Sequence, residues 1–158
     1  MSAGVHVVPH THWDREWYLP FQRFRLQLVG LVDRLLELME ADERYRFTLD
    51  GQLATLDDYL EVRPEAEERI RRLVEERRLA IGPWQVLMDE FLVSGETILR
   101  NLEYGQRRGA ELGGAMSVGS TVGSISAHWR VRVVTVTLLS SQFCDFVDGT
   151  LVAVLRCV

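Results

Sequence analysis

His12 and Asp14 stand two residues apart in the segment VHVVPHTHWDREWY (5–18). An imidazole and a carboxylate at that spacing are half of a divalent metal site, with zinc the commonest fit. The apolar run Val5–Pro9 reads as a buried parallel strand, and α/β enzymes place their chemistry where such strands end. At a strand end, side chains two apart can point to the same side. For an isolated His-x-Asp pair the plainer reading, a hydrogen bond at a turn, takes the larger share. Within HTHWDREW at a strand end, and with the motifs downstream, the metal reading is favoured. His6 and His10 read as strand and turn histidines, and His10 can also orient a ligand. Trp13 and Trp17 bring flat apolar faces, which suit the C–H faces of a sugar ring.

Three further places carry polar groups at strand ends. Asp50-Gly51-Gln52 reads as a turn into a helix. Trp84 follows Gly82-Pro83 and reads equally as core or as a sugar platform. The adjacent carboxylates Asp89 and Glu90 read as acid and base, or as the solvated start of a loop. The Arg/Glu run 65–78 is a solvated helix face. His128 and Trp129 read as surface residues.

The elements that must position these groups alternate as α/β chains do. Strands are expected at Val5–Pro9, Arg46–Leu49, Leu79–Ile81 and Ala115–Val118. Between Gln22 and Met39, Phe24, Leu28, Leu31, Leu35 and Leu38 recur at helical spacing. A helix is expected over Gln52–Leu60, and Pro64 opens another whose first turn carries Glu65, Glu67 and Glu68. Glu68 and Arg72 are spaced for an i,i+4 pair. Ser94 caps a helix from Gly95 to Leu112, stopped by Gly113-Gly114. These elements make about half of a parallel barrel, with strands one and four as open edges. The apolar stretches Val131–Leu139 and Leu151–Val158 could cover one of them.

Composition narrows the classes. The chain has 158 residues, enough for one core but short of a closed (β/α) barrel. A net charge of −5 gives no footprint for nucleic acid. No long apolar span or leader is legible, so a cytoplasmic protein with no membrane partner is expected. All 18 basic residues are arginine, which points to a GC-rich, bacterial genome. The stretch 120–158 holds only Asp145, Asp148, Arg130, Arg132 and Arg156 as charges, together with both cysteines, Cys144 and Cys157.

The spelling of 5–18 resembles the start of the catalytic domain of glycoside hydrolase family 38, the zinc-dependent α-mannosidases. That family opens with the same His-x-His-x-Asp arrangement followed by a Trp. The resemblance continues through RFTLDGQLATLDDYLEVRPE (46–65), LAIGPWQVLMDEFLVSGETILRNLEYG (79–105) and AMSVG (115–119), and looks closest to the shorter microbial members. It implies an α/β fold containing part of a parallel (β/α) barrel, incomplete at its C-terminal side. It also implies an enzyme acting on α-mannosides with Zn2+. His12 and Asp14 would be metal ligands, and Trp17 would stack under the sugar. Asp50, Trp84 and Asp89 would lie along the substrate cleft. Zinc would hold the cis 2- and 3-hydroxyls of mannose in a retaining mechanism that needs two carboxyl groups about 5–5.5 Å apart.

After Gly119 the resemblance stops. The family there carries Tyr-x-Pro-Asp and then Phe-Gly-His, the aspartate being nucleophile and zinc ligand. This chain reads STVGSISAHWRVRVV, with no Pro-Asp pair after Gly119. The family's last zinc ligand, a histidine, lies far downstream. The expected organisation is therefore 1–119 from the α-mannosidase-like domain and 120–158 as an unmatched apolar tail, out of frame or fused, with the catalytic nucleophile absent. The plainer alternative is an ordinary β-rich end to a small domain. A non-catalytic remnant or weak sugar binder is the competing class, and a carbohydrate deacetylase-like metal hydrolase the third. Translating the gene in all three frames past the Gly119 codon should restore Tyr-x-Pro-Asp-x-Phe-Gly-His in another frame. If no frame restores it, the tail is genuine.

Overall fold

The computed structural model describes residues 5–16, 18–49, 51–89, 91–117, 132–133, 142–147 and 150–156. Strand β1 (Val5–His10) leads into helix α1 (Phe21–Ala41), then β2 (Phe47–Thr48) and α2 (Ala54–Leu60). A 3-10 turn at Pro64–Ala66 opens α3 (Glu67–Glu75), followed by β3 (Leu79–Ala80) and α4 (Gly95–Glu111). The last strands are β4 (Arg132–Val133), β5 (Gln142–Val147) and β6 (Thr150–Arg156). No helix of the described residues is long and apolar enough to cross a membrane.

The strands form one sheet in the order β3-β2-β1-β6-β5-β4. β1, β2 and β3 run parallel, with His10 opposite Thr48 and Thr48 opposite Ala80. This is the α/β parallel arrangement expected from the alternation of elements. The free edge of β1 is covered as the tail's apolar pattern allowed. β6 lies parallel to it from Val5↔Leu151 to His10↔Arg156, and β5 pairs antiparallel with β6.

The expected fourth strand, Ala115–Val118, is a correction. Residues 115–117 are not a strand, and Val118 lies outside the described residues. Positive φ at Gly113 and Gly114 turns the chain out of α4. Met116 N–H then makes a 2.8 Å bond to Ile81 O beside β3. A single rung does not build a ladder.

The core is packed from α1, α2 and α3 against the parallel strands. Leu36, Met39, Leu53, Tyr59, Ile70 and Leu112 are fully enclosed. In α1 the buried stripe runs Phe24, Leu28, Val32, Leu35 and Met39, flanked by Val29 and Leu36. Leu38, expected on that stripe, faces out. Helix α2 starts two residues later than the pattern implied. Gln52 sits in a parallel bridge with Trp84, and Leu53 and Ala54 donate to the carbonyls of Trp84 and Gln85. The Glu68–Arg72 pair is also corrected. Arg71 takes both Glu67 and Glu68, while Arg72 reaches across to Glu40 on α1.

Helix α4 is capped by Ser94, whose hydroxyl accepts from Thr97 N–H at 3.2 Å. Its contact with the sheet side is through glycine. A Cβ on Gly105 would collide with Pro83 O and the Trp84 backbone. Gly105→Ala should therefore destabilise the fold by ~1–3 kcal/mol, because backbone cannot yield. That outweighs the ~1 kcal/mol alanine gains in a helix. Urea unfolding of both proteins checks this, and an unchanged midpoint would refute the close contact.

Tyr59 supplies a second test. Its hydroxyl donates to Asp33 Oδ1 at 2.7 Å from a fully buried ring. Burial first, and then the hydrogen bond to Asp33, raise its pKa above the ordinary 10.0. The folded state thus holds the phenol proton more tightly than the unfolded chain. That stability is fully present below pH 10.0 and is lost as pH climbs toward the higher folded value. Urea midpoints measured at pH 8 and pH 11 should fall less in Tyr59→Phe than in the parent. Equal slopes would contradict the assignment.

Candidate metal and sugar site

β1 ends at His10, and residues 11–16 follow it as a loop at the C-terminal end of the strand. Thr11, buried, donates its N–H to Thr48 O at 3.3 Å and carries the parallel ladder one step further. His10 Nδ1 lies 2.7 Å from Thr11 O, which fixes its ring at the strand end.

Beyond that point His12 and Asp14 turn to the same side. His12 Nε2 and Asp14 Oδ1 are 3.4 Å apart, with the side chains 29% and 44% exposed. The separation is wider than an ordinary hydrogen bond. Two donors each about 2.0–2.1 Å from a tetrahedral cation stand about 3.4 Å apart, so the pair fits two positions of a zinc site. Among the described residues no group of three His, Cys, Asp or Glu side chains gathers as a metal site would require. What the described residues offer is a two-donor half site.

The residue between the two donors does a different job. The Trp13 ring meets Phe24 edge-on at 5.9 Å and 84°, and packs partly buried on the core. Its backbone is tied down as well, since Gln52 Nε2 donates to Trp13 O at 2.7 Å. Arg15 forms a two-pronged bond to Asp58 on α2, at 2.7 and 2.8 Å. The Asp58 side chain is only 9% exposed. The bond to Asp58 raises the Arg15 pKa further, so the guanidinium stays charged. Arg25 donates to Asp58 O at 2.9 Å and pairs with Glu61 at 2.6 Å. The Phe21 ring takes both guanidiniums, Arg15 at 5.5 Å and Arg25 at 5.9 Å.

The other expected site residues are placed unevenly. Trp17, Asp50 and Glu90 lie outside the described residues. Trp84 is buried, 9% exposed, with its N–H on Gly51 O at 3.0 Å. Asp89 is exposed and accepts from Phe91 N–H at 2.9 Å within its own turn. The loop that carries it is held to α4 by Asn101. That amide donates to Val86 O at 2.7 Å and accepts from Val86 N–H at 2.9 Å, as a neighbouring strand would. Gln85 and Arg108 both hold Asp57, at 2.9 and 2.7 Å, which joins this loop and α4 to α2.

Sequence reasoning passed over Arg15, Gln52, Asp58 and Asn101 as positioning groups. Gln52 followed a turn signal, and one of the two adjacent aspartates of an otherwise apolar helix must turn inward, where a carboxylate needs a partner. Those were the available signals. The partners lie up to 43 residues away and carried none.

Residues 2–121 match the family described as Glycosyl hydrolases family 38 N-terminal domain. The chain belongs to this family. It is 49% identical over 106 residues to a candidate mannosylglycerate hydrolase of Halalkalibacterium halodurans, covering 66% of this chain and 12% of that protein. A solved α-mannosidase from Enterococcus faecalis V583 superposes with a TM-score of 0.70 and 43% identity, over 73% of this chain and 13% of that one. A second Enterococcus faecalis structure, a family 38 glycosyl hydrolase, gives 0.68 and 39% over 77% and 15%. The family 38 chain described here thus spans about an eighth of the length of these relatives. Its matched part contains the β1 end, the His12–Asp14 pair and the segments carrying Trp84 and Asp89.

Proposed function

We propose that this chain carries the opening half of the sugar-cleaving centre of a zinc-dependent, retaining α-mannosidase. The observation that carries the reading is the 3.4 Å approach of His12 Nε2 to Asp14 Oδ1 at the end of β1, in a chain of family 38. His12 offers an imidazole nitrogen and Asp14 a negative oxygen. Trp17 is assigned to the sugar face, Asp50 and Trp84 to the floor of the cleft, and Asp89 to a sugar hydroxyl. Zinc, when bound, supplies Lewis-acid polarisation and a grip on the cis hydroxyls of mannose. The relative's name brings mannosylglycerate in beside simpler α-mannosides as a substrate class.

A retaining glycosidase needs a nucleophilic and an acid/base carboxyl group about 5–5.5 Å apart. The family match ends at residue 121, and we read the segment that would supply the nucleophile as lying beyond it. We therefore assign 1–119 to the catalytic domain and 120–158 to an added tail, with no turnover by this chain alone. A second reading, sugar binding without hydrolysis, draws on the two-donor character of the site among the described residues.

The test combines zinc uptake by equilibrium dialysis with nitrophenol release from nitrophenyl α-mannoside. The expected result is weak zinc binding that disappears in His12→Ala, a melting temperature raised by zinc, and no nitrophenol. Zinc-dependent nitrophenol release would overturn the assignment of an inactive chain. Zinc uptake that His12→Ala leaves unchanged would overturn the metal site.

A further inference from the structure

Asp58 is a carboxylate in a helix whose other residues are mostly enclosed, and nothing in the proposed chemistry uses it. Its side chain is 9% exposed, yet both of its oxygens are taken by one guanidinium, at 2.7 and 2.8 Å. The arginine that takes them, Arg15, is the next residue after Asp14. A two-pronged arginine–carboxylate bond fixes orientation as well as distance, because both groups are planar. Arg15 is held from a second side by the Phe21 ring, at 5.5 Å. On the other flank of the donor pair, Gln52 fixes Trp13 O at 2.7 Å, and the Trp13 ring is seated on Phe24. The loop is thereby fastened at Thr11 to the end of β2, at Trp13 to Gln52 and at Arg15 to α2, and His12 and Asp14 alternate with the fastened residues.

We propose that the Arg15–Asp58 bond, with Gln52 as its counterpart, is a positioning device that holds the His12–Asp14 pair at ligating separation. This rests on the metal reading given above. Asp58 touches neither donor and acts through the backbone of residues 13–15. A metal site gains affinity when its ligands are held before the cation arrives, and loss of such supporting groups commonly costs about 10–100-fold in metal affinity. The side chain of Arg15 is 37% exposed, and that of Asp58 is nearly enclosed. Removing Arg15 alone strands a buried charge, whereas replacing both removes the charge and the bond together.

The experiment uses the 158-residue chain and two readouts on the same proteins. The first is amide hydrogen exchange over residues 11–16, which needs no metal. The second is Co2+ titration followed by the visible absorption of the bound ion, with His12→Ala as the control for the site. The variants are Arg15→Ala, Arg15→Lys, Asp58→Asn and the double variant Arg15→Ala/Asp58→Asn. A urea melt shows which variants remain folded, and the double variant keeps the test open if a stranded charge unfolds a single one.

The expected result is loop exchange at least 10-fold faster in Arg15→Ala and in the double variant, with α1 and α3 amides unchanged. Co2+ affinity should fall about 10–100-fold, the double variant no weaker than the worse single one. Arg15→Lys should recover only part, since an ammonium keeps the charge but not the fork. A merely structural ion pair would instead lower the melt and leave Co2+ affinity in the folded fraction as it was, which overturns the proposal. Loop exchange that does not change in Arg15→Ala also overturns it. If the parent takes up no Co2+ through His12, the metal reading fails, and the exchange result alone then decides whether the pair orders the loop.

Discussion

A carboxylate shut away from water must be paired, and Asp58 is paired with a guanidinium from a loop 43 residues earlier in the chain. In a fully enclosed site, leaving such a charge alone costs about 3–5 kcal/mol. Water reaching the partly exposed Arg15 reduces that figure here. The consequence is geometric more than energetic. Helix α2 cannot pack its apolar face on α1 and α3 without presenting Asp58 to the β1–α1 loop. That loop, in turn, cannot satisfy Asp58 without setting the backbone on which Asp14 rides. Core packing and the donor pair are coupled through one bond.

The second constraint is the parallel pairing of β1, β2 and β3. Parallel strands need crossovers, so every strand ends on the same side of the sheet and every β–α loop meets the others there. Thr11 reaches Thr48, Leu49 reaches Ala80, and Gln52 bridges to Trp84, so the ladders run on past the named strands into the loops. Residues separated by dozens of positions are brought together at that edge. The far side of β1 is closed by β6, which pairs parallel with it from Val5↔Leu151 to His10↔Arg156.

Short strands explain why α4 docks by glycine. With only two residues each in β2 and β3, there is little pleated surface to hold a helix through large side chains. Gly105 lets the helix backbone come down on Pro83 and Trp84, and Gly109 admits Ala115 beside it. Asn101 then stands in for a strand, giving Val86 both a donor and an acceptor. Leu99 and Tyr104 of α4 are left facing out.

The sequence by itself determined the elements and the chemistry on offer. Apolar runs, helical spacing, Ser94 and the Gly113-Gly114 stop are local signals, and each acts through the backbone within a few residues. His12 and Asp14 are legible for the same reason, because two residues at a strand end have few ways to point apart. Tertiary structure decided what distance in the chain conceals. It put Arg72 on Glu40 instead of Glu68, and it left Ala115–Ser117 with one rung instead of a strand. It also turned Trp13 toward Phe24 and chose Asp58 as the partner of Arg15. Periodicity shows which face of a helix is apolar. It does not say which charged group lies across the gap, because that depends on how closely two elements pack, and packing is settled only when all of them meet.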